Sequence, residues 1–173
     1  MTCHAGRLEE IDGLFERIRD AFGRLDILVN NAATNPYFGP APGLPSEAFD
    51  KTVGVNLKGP YYMMARAVPL MAQSGGGSIV NVASIAAQVS MPGQAVYSMT
   101  KAGLVSLTKS FAKEYGQAGI RVNAILPGVV DVESWDFAAL RRVRADGTES
   151  DAIIIGALPP ATRMLSPTLI AGR

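Results

Sequence analysis

The residues that build disulfide frameworks and metal sites are almost missing: among 173 residues there is one cysteine, Cys3, one histidine, His4, and one tryptophan. A single cysteine excludes an intramolecular disulfide and fits a reducing compartment, so a cytoplasmic setting is expected. His4 beside Cys3 leaves too few nitrogen and sulfur ligands for a His/Cys metal site, and none is expected. Charge is scarce as well. Asp, Glu, Lys and Arg make up 18% of the chain, and 16 basic against 15 acidic residues leave a formal net charge of +1. The densest basic cluster, Arg141-Arg142-Val143-Arg144, gives no electrostatic footing for nucleic acid. No apolar run reaches the roughly 18 residues that span a bilayer, and no signal peptide opens the chain. Neither a nucleic-acid nor a membrane partner is expected.

What is present suits one domain over 1–173, with 48% apolar residues to fill a core. Leu8, Ile11, Phe15, Ile18 and Phe22 recur at three- and four-residue steps, predicting an amphipathic helix over 7–22 with Gly23 as a left-handed C-cap. The apolar run 26–30 reads as a strand buried on both faces, and 31–45, rich in Pro, Gly and Asn, as a loop. Ser46 is placed to cap a second helix reaching about residue 71, interrupted at Gly59-Pro60. Beyond the Gly75-Gly76-Gly77 turn, residues 78–83 read as a strand, 95–116 as a helix, and Arg121 to Leu126 as a strand stopped by Pro127-Gly128. Strict alternation predicts parallel βαβ units in a Rossmann-like, doubly wound α/β sheet with helices on both faces. Ligands bind such sheets at the carboxyl ends of the strands, so the loops opening at Asn30, Ser84 and Pro127 are the expected place for chemistry. Residues 129–161 break the alternation, and a helix over about 135–144 is the one element expected there.

Tyr97 and Lys101, four apart on the third helix, share a helical face. A phenol with an ordinary pKa of about 10 is a poor acid or base at neutral pH, and a neighbouring ammonium would lower it. Given 5 tyrosines, such a spacing arises by chance only about 0.14 times, yet an exposed helix pair is the commonest origin of an isolated match. Ser84, at the end of the preceding strand, could bring its hydroxyl to the phenol; a serine satisfying its own turn is the plain alternative. Requiring all three at this offset lowers the chance expectation to about 0.01. Asn56 sits four residues before Pro60, which has no N–H, so the Asn56 carbonyl loses its helical partner and could hold a water. A kinked helix with an exposed asparagine explains it equally well. Asn30-Asn31-Ala32-Ala33 combines amides with small side chains that let a flat ligand lie near the backbone, whereas Pro127-Gly128 alone is only a turn signal.

Together, Asn30-Asn31-Ala32-Ala33, Asn56, Ser84, Tyr97-x-x-x-Lys101, Arg121-Val122-Asn123 and Pro127-Gly128 resemble the short-chain dehydrogenase/reductase family in order and spacing, from residue 1 to 128. Asn31 to Pro40, Ser84-Ile85-Ala86-Ala87 and Cys3-His4 look most like its carbonyl-reductase and alcohol-dehydrogenase branch. The resemblance implies hydride transfer between NAD or NADP and a small-molecule carbonyl or alcohol. Tyr97 would be the acid/base, Lys101 would hold the nicotinamide ribose and lower the Tyr97 pKa, and Ser84 would bind the reacting oxygen. Asn56 would hold a water linking Lys101 to solvent. Asn31, Ala32 and Ala33 would pass close to the cofactor, Asn30 would brace the sheet, and Pro127-Gly128 would border the nicotinamide. It also implies a dimer or tetramer assembled through the helices at 46–71 and 95–116.

Departures from the family set limits to that expectation. No glycine-rich pyrophosphate turn precedes residue 30, His4 stands where an acidic residue is common, and Val132 stands where a threonine is expected. Residues 129–161 diverge from the family's substrate lid. Thr162-Arg163, Pro167 and Ile170-Ala171-Gly172 resemble the segment before the last family strand. The chain is therefore expected to be a single partial domain, lacking the first strands and the last. The alternative to an oxidoreductase is a catalytically silent fragment or interaction subunit; a third reading is an epimerase or dehydratase on the same scaffold.

Overall fold

The computed structural model describes residues 1–128 and, beyond them, the strand segments Val130–Asp131, Arg142–Val143, Glu149–Ser150, Ile153–Ile155, Arg163–Met164 and Thr168–Ala171. Helix α1 (Leu8–Phe22) buries Ile11, Leu14, Phe15 and Ile18 and ends at Gly23, whose φ of 66° is the left-handed cap that a Cβ would disfavour. Three strands follow the apolar runs: β1 (Ile27–Asn30), β2 (Gly77–Val82) and β3 (Ile120–Leu126). They lie side by side and parallel, with Leu28 opposite Ile79 and Ile79 opposite Val122. That row points into one core shared by α1, α3 (Gly59–Gln73) and α4 (Ala95–Tyr115). Successive right-handed crossovers in one direction place their helices on the same face. The opposite row, Val29, Val80 and Asn123, is half-buried. The helical covering expected on two faces is thus seen on one among the described residues.

Both edges of this three-stranded sheet carry a further strand. Ile153–Ile155, three β-branched residues, runs parallel to β1, and Thr168–Ala171 runs antiparallel to β3. Both edges of β1 and β3 are therefore paired, which satisfies backbone groups that would otherwise invite association. The helix expected over about 135–144 lies outside the described residues except at Arg142–Val143, a strand pairing with Glu149–Ser150.

The second helix differs instructively from its expected form. Ser46 does not cap it: α2 (Ser46–Val53) starts after Pro45 without a side-chain bond to its free N–H groups. The interruption comes one turn before Pro60, as a π-helical turn over Gly54–Lys58 in which the Gly59 N–H reaches back five residues to the Gly54 carbonyl. Pro60 has no N–H to give, and the ladder accommodates it by shifting to the wider turn. Then α3 begins at Gly59, a residue with a second constraint: a Cβ there would overlap the Ala5 carbonyl oxygen of the amino-terminal segment. In an open helix Gly→Ala gains about 1 kcal/mol. At Gly59 the same change is expected to cost about 1–3 kcal/mol, because backbone must move to admit it. Urea denaturation reads the sign directly.

Candidate active site

A buried polar line braces the sheet below the site. Asn30 Nδ2 donates to Asn81 Oδ1 across β1 and β2 at 2.8 Å, and Asn81 Nδ2 donates to Thr108 Oγ1 on α4 at 2.9 Å. Buried amides are tolerated when they are partnered, and both of these are. Neither Asn81 nor Thr108 stands out in the sequence, since an asparagine within an apolar strand is legible only once its partners are in place.

Above that line, β2 and α4 bring together Ser84, Tyr97 and Lys101. Ser84 follows β2 in extended backbone and accepts the Ala86 N–H on its hydroxyl at 3.1 Å, which fixes the hydroxyl's position. The same hydroxyl lies close enough to the Tyr97 phenol to favour its ionised form. Tyr97 is half-buried, and Lys101 is only 2% exposed. The Lys101 ammonium lies 5.6 Å from the Tyr97 ring centroid and donates to the Val82 carbonyl at 2.8 Å. Burial pushes its pKa down to about 8. Burial also raises the Tyr97 pKa, and the Ser84 hydroxyl pulls the other way without reversing it. The lowering of the phenol by Lys101 expected from spacing is not among the influences on Tyr97 in this geometry: burial dominates, and the ammonium bonds the Val82 carbonyl.

Asn56 is fully buried, which excludes the exposed asparagine of a simple kinked helix. Its side chain, not its carbonyl, makes the tertiary bonds. Asn56 Oδ1 accepts the Thr34 N–H at 2.7 Å, and Nδ2 donates to the Thr34 carbonyl at 2.8 Å and to Thr100 Oγ1 at 3.3 Å. Thr100 in turn donates to the Tyr97 carbonyl at 2.8 Å. One amide in the π turn therefore holds both the loop after β1 and the helix carrying Tyr97. Thr34 and Thr100 went unmarked in the sequence, and nothing in their local pattern signals the role.

The remaining residues of the expected constellation line the strand ends. Asn31 and Ala32 are half-buried and Ala33 exposed, directly after β1. Pro127 and Gly128 follow β3 half-buried, and the Pro127 carbonyl accepts the Ile85 N–H at 2.9 Å, joining that end to the Ser84 turn. A buried ammonium has three protons to donate, and Lys101 has one acceptor among the described residues. Ala32 and Ala33 present no bulk beyond a methyl. These features leave room for a flat nicotinamide group against the strand ends.

Residues 1–154 match the family model described as enoyl-(acyl carrier protein) reductase. The chain belongs to the short-chain dehydrogenase/reductase family. An uncharacterized oxidoreductase of Thermotoga maritima is 46% identical over 125 residues, covering 72% of this chain and 49% of that protein. The human dehydrogenase/reductase SDR family member 4 is 42% identical over 129 residues, covering 75% of this chain and 46% of its own length. An NAD+-bound xylitol dehydrogenase superposes with a TM-score of 0.70 at 30% identity, over 79% of this chain and 51% of that one. The short-chain dehydrogenase/reductase fold seen here thus spans about half the length of the relatives it matches. No helix among the described residues is long and apolar enough to cross a membrane.

Proposed function

We propose that the protein is a nicotinamide-dependent oxidoreductase that interconverts a small-molecule carbonyl and its alcohol, with Tyr97 as the acid/base. The observation that carries this reading is the grouping of Ser84, Tyr97 and the buried Lys101 at the carboxyl end of β2, with the Lys101 ammonium 5.6 Å from the Tyr97 ring centroid. The names of the relatives, dehydrogenases and reductases, support it. The nicotinamide supplies or takes up the hydride when bound. Ser84 orients the reacting oxygen, and Tyr97 gives that oxygen its proton in reduction and removes it in oxidation. Lys101 binds the ribose hydroxyls. Asn56 keeps the loop bearing Ala32 and Ala33 in register with α4 through Thr34 and Thr100. Titrating the full chain with NADH and with NADPH, followed by nicotinamide fluorescence, is expected to give saturable binding with at least one of them. A folded sample that binds neither and turns over no carbonyl would leave the silent interaction subunit as the better description.

Self-association is part of the same proposal. Val53, Leu57, Tyr61, Gly103 and Leu107 line a groove between the broken helix and α4, and Tyr61 and Phe49 are exposed nearby. Exposed apolar faces of this kind are commonly covered by a partner, here a second copy. Sedimentation velocity is expected to show a dimer or larger species, and a stable monomer at micromolar concentration would contradict it.

A further inference from the structure

The sequence around Tyr97 carries almost no ionisable group: no Asp, Glu, Lys, Arg or His lies between Asp26 and Glu47, or between Arg66 and Lys101. Among the described residues, those two stretches supply every wall of the cavity opening on Tyr97 apart from Thr52. The loops are also fastened to one another. Tyr37 Oη donates to the Pro40 carbonyl at 2.8 Å, curling the first loop, and the Gly39 N–H donates to the Gly93 carbonyl at 3.1 Å. This seats the Phe38 ring against Gly93 while leaving Phe38 71% exposed. On the second loop Val89 and Met91 are 62% and 49% exposed, and the Met91 carbonyl accepts the Gln94 N–H at 3.2 Å beside the cavity. Phenylalanine and methionine held in water at the rim of a cleft mark a surface that gains by being covered with apolar material. A carboxylate or phosphate entering the cleft would lose its hydration and meet no counter-charge from these walls.

We infer that the site takes a neutral, apolar carbonyl compound, an aryl or long-chain alkyl ketone or aldehyde and its alcohol, whose body lies on Phe38 and Met91. The inference rests on the oxidoreductase reading and adds to it the substrate class. It is tested with the full chain on three carbonyl probes: an aryl methyl ketone, the same ketone bearing a ring carboxylate, and a polyhydroxylated ketone. The neutral ketone is expected to lead in kcat/KM by about 100-fold, the size of discrimination a hydrophobic pocket offers. Phe38→Asp and Met91→Asp, both on exposed positions away from the proton-transfer groups, are expected to raise KM for the neutral ketone about tenfold each with kcat nearly unchanged. A lead for the carboxylate or polyol probe, or an unmoved KM in both variants, overturns the substrate class while leaving the oxidoreductase reading intact. No turnover of any probe with either nicotinamide cofactor overturns both.

Discussion

Replacing Tyr97 by Phe is expected to lower kcat for carbonyl reduction by about 10²- to 10⁴-fold, the range associated with a positioned proton donor, while KM changes little. The ring fills the same half-buried space without its hydroxyl, so the fold should survive and circular dichroism should be unchanged. The direction of the Tyr97 pKa sharpens the expectation. Burial raises it above the ordinary tyrosine value, and the nearby Ser84 hydroxyl offsets only part of that. The phenol therefore stays protonated throughout the neutral range and is ready to donate. Reduction should hold a flat pH profile through neutrality, whereas alcohol oxidation, which needs the phenolate, should rise toward alkaline pH. Stopped-flow or steady-state rates in both directions check this, and a Tyr97→Phe protein of undiminished rate would remove the phenol from the mechanism.

The second large effect runs the other way, toward stability. Lys101 is buried, and its pKa falls from an ordinary 10.5 to about 8 because desolvation penalises the ammonium. Below pH 8 the folded and unfolded chains both carry the proton, and the fold bears the full cost of burying it. Between pH 8 and 10.5 the unfolded chain holds more protons than the folded one, so this cost fades as pH rises. At about 1.4 kcal/mol per pH unit the cost is about 3 kcal/mol at pH 7. Lys101→Met keeps an apolar stem of similar length and removes the charge, at the loss of the charge-assisted bond to Val82, worth about 1.5–3 kcal/mol. The variant should thus match the parent or exceed it by up to about 1 kcal/mol at pH 7, and that advantage should be lost by pH 10. Urea midpoints at the two pH values read both quantities, and a variant less stable at pH 7 would show that the ammonium is held favourably. Its activity should fall with that of Tyr97→Phe, so stability and turnover part company at this position.

How far the chain could be read in advance follows from where each signal resides. Parallel strands covered by helices are apolar along their length, so the runs ending at Asn30, Val82 and Leu126 announce themselves, as does the glycine cap at Gly23. The Tyr97–Lys101 spacing placed both side chains on one face. It could not say that Lys101 would reach a strand carbonyl instead of the phenol oxygen. Asn56 is the clearest case. Pro60 signals a broken ladder, but the partner that decides the role of Asn56 is the Thr34 backbone, 22 residues away. Edge strands such as Ile153–Ile155 are three residues long and lie among charges, too brief for any periodicity to register.

The π turn at Gly54–Lys58 has a consequence for helix phase. An α-helix advances about 100° per residue, and one wide turn absorbs roughly one extra residue without ending the rod. The residues of α2 therefore stand out of step, by about one residue's rotation, with the faces that an unbroken helix from Ser46 to Gln73 would present. Asn56 aims at Thr34 from within that offset, while α3 keeps Met63, Met64, Ala67 and Met71 on the core. A one-residue deletion in this turn would leave a smoother helix and a misaligned one, with the two halves no longer serving the site and the core together.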